Sequence, residues 1–414
     1  MNRLFPHLRS ILGWTVVLLA MALAVGSASA FFLWALDAVT RVRFAHSWLL
    51  FLLPVAGLAV GLIYQHFGKS SVAGNNLLID EIHQPGGGVP LRMAPLVLFG
   101  TLATHLFGGS AGREGTAVQM GGSIAAGFAR ALRLDAGKVR VLLMAGIAAG
   151  FGSIFGTPVA GAVFALEVLI VGRVQYDALV PCLFASMVAD WSCRAWGVGH
   201  THYQVAATDA MVDPLLMLQV IAAAAAFGLA GSLFASLSHR LAAIFKSRIA
   251  RAELRPVVGG LLVIGLFFLA GSDYLGLGVL SDKPGAITLP AMFTSLDIPA
   301  SAWVWKLVFT IVTLAAGFKG GEVTPLFFIG AALGNSLAHL FGAPVDLFAA
   351  LGFVAIFAAA TKTPLASTLM GMELFGAGNG VYLAVACIIA FRCSGNKGIY
   401  SSQRIDSPKF PGAI

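Results

Sequence analysis

The sequence predicts an all-α polytopic membrane protein made of two repeated halves, with broken helices that meet at mid-membrane. Three observations lead there. Of the 414 residues 58% are hydrophobic and only 11% charged, with a mean hydropathy of +0.88, whereas soluble domains carry about 25% charged residues. Two separate motifs recur in the same order about half a chain apart. Gly- and Pro-containing junctions cut the apolar runs at matching places.

The apolar runs come first. They lie at 11–36, 48–64, 92–107, 139–155, 158–171, 214–236, 257–270, 303–317, 347–360 and 381–391. A helix crosses a bilayer with roughly 20 mostly apolar residues, and an open sheet edge cannot face lipid, so helices are expected. The start, "MNRLFPHLRSILGWTVVLLAMALAVGSASA", has the layout of a signal peptide. Apolar "FFLWAL" follows at once, which makes the run too long for one, and an uncleaved first helix is expected.

The basic excess, 26 Lys and Arg against 18 Asp and Glu, sits between the runs. Arg130, Arg133, Lys138 and Arg140 form one group, and Arg240, Lys246, Arg248, Arg251 and Arg255 another. Cytoplasmic loops are enriched this way, so the charge reports topology and no nucleic-acid partner is expected. Both tails are basic (Arg3 and Arg9; Lys397, Arg404 and Lys409), which places both termini in the cytoplasm. Cys182, Cys193, Cys387 and Cys393 show no metal-ligand spacing and read as buried, inert thiols. No metal or cofactor is expected.

The repeat is read from two alignments. "GREGTAVQMGGSIAAGFA" from Gly112 matches "GEVTPLFFIGAALGNSLA" from Gly321, with Gly121 opposite Gly330. "TPVAGAVFALEVL" from Thr157 matches "TPLASTLMGMELF" from Thr363, with Glu167 opposite Glu373. The halves are drawn at 10–200 and 213–408 of one membrane domain. Such repeats are a feature of transporters, whose sites form where broken helices from both halves point at the membrane centre.

Breaks at 108–115, 156–158, 317–325 and 361–364 each open a new helix. Free N–H groups and a partial positive charge make a helix start hold an anion. Glycine there lets backbone amides come close, and Gly112 and Gly115 are placed for this. Several converging starts replace an anion's hydration shell, so the expected substrate is an anion.

Glu114 falls in the first turn after Gly112. A charge at mid-membrane costs roughly 2.5–3.5 kcal/mol on insertion scales, so such a group faces a cavity or a partner. Two readings stand. As a proton carrier, its ionised carboxylate occupies the anion site and leaves when protonated, which couples protons and anions in opposite directions. As a structural acid, it pairs with Arg113. Glu322 sits at the matching junction with Val323 and Thr324, within reach of Lys319. Glu167 and Glu373 lie well inside their helices and are expected to hold helices together.

A third break, "GNNLLIDEIHQPGGG" at 74–88, puts Asn75 and Asn76 at a helix start, either as caps or as amide donors to an anion. Asp80, Glu81 and His83 lack a partner cluster for a metal and are assigned to a loop or interface. Tyr400, in "SGNKGIYSSQ" at 394–403, reads as an interfacial belt residue or as a hydroxyl donor to an anion. His105 and His339 lie on apolar stretches and read as packed or interfacial.

On these residues the chain resembles the CLC family of chloride channels and proton-coupled anion antiporters. "GREGT" at 112–116 is similar to the family's GREGP, "GEVTP" at 321–325 to its GxFxP, and "GNNLL" at 74–78 to its GSGIP. Tyr400 matches its anion-coordinating tyrosine. The likeness spans about residues 10–405, with no cytoplasmic regulatory domain expected after it.

The departures resemble the fluoride/proton antiporter branch. Asn75 stands for the family's central Ser, Thr116 for a Pro, Glu322 and Val323 fill the GxFxP slot, and Val168 stands at the inner proton-relay glutamate. The resemblance implies inverted halves, a homodimer with one pore per subunit in the inner (plasma) membrane, and fluoride export against inward proton flow. It further implies that Glu114 is the gating glutamate. Asn75, Asn76, Gly112, Arg113, Gly115, Thr116, Glu322, Val323, Thr324 and Tyr400 would then line the anion path. Fluoride holds water tightly, so amide and hydroxyl donors suit it.

The rivals are a chloride-type antiporter or passive anion channel, and a cation-coupled solute transporter. The last needs a carboxylate cluster that the sequence does not display. An enzyme is not expected, since no Ser/His/Asp or metal spacing occurs within the apolar runs.

Overall fold

The computed structural model describes residues 4–201, 203–206, 213–294 and 298–406. Arg3, Lys409, the Arg9 side chain and the last two residues of the second half as drawn lie outside the described residues. In chain order the helices are α1 (Leu4–Ala45), α2 (Leu53–Phe67), α3 (Asn75–His83), α4 (Met93–Leu106), α5 (Glu114–Ala131), α6 (Ala136–Phe155), α7 (Pro158–Glu167) and α8 (Leu179–Ala195). Then come α9 (Pro214–Arg248), α10 (Arg255–Ala270), α11 (Ala302–Ala315), α12 (Val323–Phe341), α13 (Val345–Thr361), α14 (Pro364–Phe375) and α15 (Gly380–Cys393). Six stretches of the described residues are long and apolar enough to cross a membrane.

α1 runs without a break through the Ala-Ser-Ala site into "FFLWAL", where Phe32 and Leu36 are buried. It packs on α6 and α8, so the expected first helix is a structural part of the body. At 1.5 Å per residue it is about 63 Å long, twice a bilayer core of about 30 Å.

All four breaks fall where the sequence puts them. α5, α7, α12 and α14 each begin within one of them, and the Thr-Pro junctions that open α7 and α14 put Pro158 and Pro364 at the first helical position, where the missing N–H costs nothing. The repeat is visible in packing. A Cβ on Gly121 of α5 would strike the Gly146 carbonyl of α6, and a Cβ on Gly330 of α12 the Gly352 carbonyl of α13. Each half thus presses its junction helix onto the next helix through facing glycines. Between the halves stands a column of rings. Phe155 of α6 meets Phe327 of α12 at 5.3 Å, Phe327 stacks on Phe353 at 3.8 Å, and Phe151 reaches Phe357 at 6.0 Å.

A parallel two-stranded sheet pairs β1 (Ile170–Val171) with β2 (Arg404–Ile405). It fastens the segment after Tyr400 to the end of α7. Two expectations are corrected. Cys182, Cys193 and Cys387 are buried, but Cys393 is exposed, because it sits in the last turn of α15 where the helix leaves the body. Lys319 does not pair with Glu322. Its ammonium lies over the Tyr64 ring at 4.0 Å, where an aromatic face supplies the negative potential a cation needs.

Candidate functional site

The two junctions touch through backbone. Gly112 N–H donates to the Gly321 carbonyl at 2.6 Å, and Gly321 N–H donates to that of Gly112 at 2.7 Å. This antiparallel bridge sets the starts of α5 and α12 side by side. Only glycine fits at Gly112, since a Cβ there would lie 2.8 Å from Glu114 Oε2 and 2.9 Å from the Gly321 oxygen.

Glu114 is 1% exposed. Its carboxylate reaches the start of the opposite half's helix. Oε2 accepts from the backbone N–H of Thr324 at 3.1 Å and of Arg113 at 3.1 Å, and Oε1 accepts from the Thr324 hydroxyl. Arg113 Nε stands 3.5 Å from Oε1. Glu114 therefore pairs with Arg113, and its carboxylate also takes the donors at the start of α12, the kind of place that holds an anion. Val323, 1% exposed, is the first residue of α12 and shields this contact.

Gly115, Asn75 and Glu322 converge just behind. A Cβ built on Gly115 would lie 3.2 Å from Asn75 Nδ2 and 3.9 Å from Glu322 Oε2. Asn75 Oδ1 is buried with no partner. Tyr400 is 7% exposed and lies within electrostatic reach of both Glu322 and Glu114. It is an interior residue, not an interfacial belt tyrosine. The missing Cβ at Gly115 thus lets an amide N–H pair and a carboxyl lie close against the glycine backbone.

Two predicted site residues, Asn76 and Thr116, bond outside this cluster. Asn75 and Asn76 lie inside the first turn of α3 and do not cap it; the cap position is Gly74, whose positive φ of 59° suits glycine. Asn76 Oδ1 instead accepts from Ser402 N–H at 3.0 Å, holding the Tyr400 segment. The Thr116 hydroxyl turns to Thr101 of α4 at 2.7 Å, because a buried hydroxyl needs a partner and α4 supplies one.

Glu81 accepts from Gly86 N–H at 3.0 Å and Gly88 N–H at 2.8 Å, and His83 bonds the Leu169 carbonyl at 3.0 Å. These are loop and interface roles. No metal-ligand cluster occurs among the described residues. Val168 is 2% exposed, so the inner-glutamate position is apolar.

Gln403 was not singled out by sequence. Its Nδ-equivalent amide, Nε2, donates to the Val168 and Thr361 carbonyls, both at 2.8 Å. It joins the Tyr400 segment to the ends of α7 and α13, and its place three residues after Tyr400 was the available signal. The same segment is held by Ile399 N–H on the Ala360 carbonyl at 2.8 Å and by His239 Nε2 on the Gly398 carbonyl at 3.0 Å.

Comparison with known proteins gives a consistent set of likenesses. The model of the family described as "Voltage gated chloride channel" matches residues 56–395. A "Chloride/fluoride channel protein" of Pseudomonas syringae pv. tomato is 50% identical over 399 residues, covering 96% of this chain and 87% of that protein. A solved CLC-type fluoride/proton antiporter superposes with a TM-score of 0.91 at 35% identity, covering 96% of this chain and 98% of the other. A slow cyanobacterial Cl-/H+ antiporter shares the fold at a TM-score of 0.77 and 19% identity, covering 94% and 96%.

Proposed function

The chain belongs to the voltage gated chloride channel (CLC) family, and within it we propose that this protein is a fluoride/proton antiporter that exports fluoride. The observation that carries this reading is the seat of Glu114. A carboxylate from one half sits on the helix start of the other, bonded by Thr324 N–H and hydroxyl. A fluoride ion needs the same donors. Ionised Glu114 and fluoride compete for them, and protonation of Glu114 weakens its hold and frees the place. One proton and one anion then exchange across a single seat. The identities to a chloride/fluoride channel protein and to a fluoride/proton antiporter support fluoride as the anion.

The lining suits a small, strongly hydrated anion. Asn75 Nδ2, Thr324 and Tyr400 offer amide and hydroxyl donors, which replace lost water at close range. Glu322 beside them is a second acidic group through which a proton reaches Glu114, since Val168 offers none. Uncharged, Glu322 can donate to the orphaned Asn75 Oδ1.

We further propose a homodimer in the plasma membrane with both termini cytoplasmic. The proposed halves are 10–200 and 213–408. The basic groups at 130–140 and 240–255 support this orientation.

The decisive test is efflux from proteoliposomes with fluoride and chloride compared and pH recorded. Wild type should release fluoride faster than chloride and take up protons as it does so. In Glu114→Gln the proton uptake should vanish. Continued proton uptake in that variant sinks the role of Glu114, and equal rates for the two anions remove fluoride as the substrate. A passive channel, the second reading favoured by the word "channel" in the 50% identical relative, would show anion release without proton movement in wild type.

A further inference from the structure

A cavity of about 430 Å³ lies between the end of α1, the 276–280 loop and Arg113. It is separate from the cluster at Gly115, and nothing in the antiport cycle above uses it. Its charge is mainly basic, with Arg41, Arg43 and Arg113 against the single carboxylate of Asp37. Arg43 and Arg113 both line it. Arg41 lines it too, but is paired with Asp37 at 2.6 Å. Arg43 forms no ion pair among the described residues, and the acid that acts on it, Asp282, does so from beyond contact distance.

Behind the loop lies Lys306, wholly buried. Its Nζ donates to the Tyr274 carbonyl at 3.1 Å and the Gly276 carbonyl at 2.7 Å. Those contacts hold two loop carbonyls, and so their negative ends, on a third cation. Arg41 and Asp37 offset one another, so the net basic charge of the lining rests on Arg43, on which Asp282 acts at longer range, and on Arg113, which pairs with Glu114.

His105 forms part of the wall. It is 1% exposed, and its Nε2 has no hydrogen-bond partner. Arg113 Nε, on the same wall, makes no hydrogen bond and is held only by the ion pair to Glu114 Oε1 at 3.5 Å. A buried polar atom left unpaired costs roughly 1–3 kcal/mol, so the orphaned His105 nitrogen on this wall points to a group that binds there.

We infer that this cavity is a second anion subsite, outside the Glu114 seat, where a hydrated monovalent anion is held by Arg43, Arg113 and His105. The inference rests on the antiporter reading for its direction: with the N-terminus cytoplasmic, the far end of α1 and this cavity open to the outside. The space is large enough for an anion with several waters, and guanidinium groups do not select by size. Selection is left to the tighter seat within. An anion here also draws Arg113 from Glu114, so an occupied subsite loosens the gate.

The test uses the full chain. Crystals soaked in bromide should show an anomalous peak in contact with Arg43 and His105. It should disappear in Arg43→Gln and weaken in His105→Leu. In liposomes, Arg43→Gln should raise the external fluoride concentration for half-maximal exchange by roughly tenfold, the size of one hydrogen bond to a charged group. Its proton-to-fluoride ratio should not change, and Arg43→Lys should restore most of the affinity. No bromide peak in wild type, or a peak unchanged in both variants (an adventitious ion only), overturns the subsite. So does an unchanged half-saturating concentration in Arg43→Gln, or loss of its proton coupling. Failure of the antiporter reading would look different: wild type would move no protons, while the bromide result would stand.

Discussion

Glu167 and Glu373 cap each other's helices. Glu167, at the end of α7, accepts the N–H groups of Leu365 and Ala366 at 3.1 and 2.9 Å, at the start of α14. Glu373, near the end of α14, accepts those of Val159 and Ala160 at 3.0 and 2.8 Å, at the start of α7. Repeat-related acids therefore answer one another across the halves, and neither is free to carry a proton along the path.

That reciprocity gives a stability prediction. Glu167→Gln keeps the shape but replaces one of the two acceptor oxygens with an N–H donor, so one charge-assisted bond, worth about 1.5–3 kcal/mol, is lost and the other is weakened. The thermal midpoint in detergent should fall by several degrees. Glu373→Gln should cost less, because Glu373 is exposed and Glu167 is 5% exposed. Proton coupling should survive in both, and its loss in either would show that the pair serves transport.

Thr324 separates the gate's hold from its charge. Thr324→Val removes the hydroxyl donor to Glu114 but keeps the backbone N–H. A buried bond to a carboxylate is worth about 1.5–3 kcal/mol, some ten- to hundredfold in occupancy of the seat. The carboxylate should leave more readily, giving fluoride release with a lowered proton-to-fluoride ratio. Thr324→Ser should behave as wild type. The ratio is read from paired fluoride-electrode and pH traces.

Gly112→Ala tests the bridge. The added carbon would meet Glu114 Oε2 and the Gly321 carbonyl inside 3.0 Å, so both junctions must shift. Exchange should drop by more than about tenfold, as a misplacement of 1 Å at a reacting site can cost about a hundredfold. Gly13→Ala, where a Cβ meets nothing within 4 Å, is the matched control and should transport normally.

Asn76 is expected to act at a distance. Asn76→Ala strips Ser402 N–H of its acceptor and slackens the Tyr400 segment. Fluoride affinity should fall several-fold, with the coupling ratio kept, and Asn76→Asp should rescue it. Titration of exchange rate against fluoride distinguishes this from a change in turnover.

The class, the breaks and the acids were legible because each rests on local signals. Hydropathy marks spans, Gly and Pro mark junctions, and a Glu beside a glycine break is conspicuous in an apolar chain. The partners were not legible, because they come from contacts across about half the chain. Nothing near "GREGT" tells that the Thr116 hydroxyl turns to Thr101, or that Ser110 meets Thr310 at 2.9 Å. Lys319 and Glu322 are close in sequence, yet a ring on α2 takes the ammonium. Gln403 looked like an ordinary polar residue until β2 brought it beneath α7 and α13. The cavity at His105 needed three distant segments to come together.

Extended backbone inside a bilayer is normally prohibitive, because its amides and carbonyls have no water to turn to. Here the Gly112–Gly321 exchange lets two such interruptions satisfy one another. Pulling either aside would strip two donors and two acceptors in a single event. The main chain at the crossing is therefore stiff, and under the proposed exchange the cheapest movable part is a carboxylate swinging about its own bonds, a rotamer working on a fixed frame.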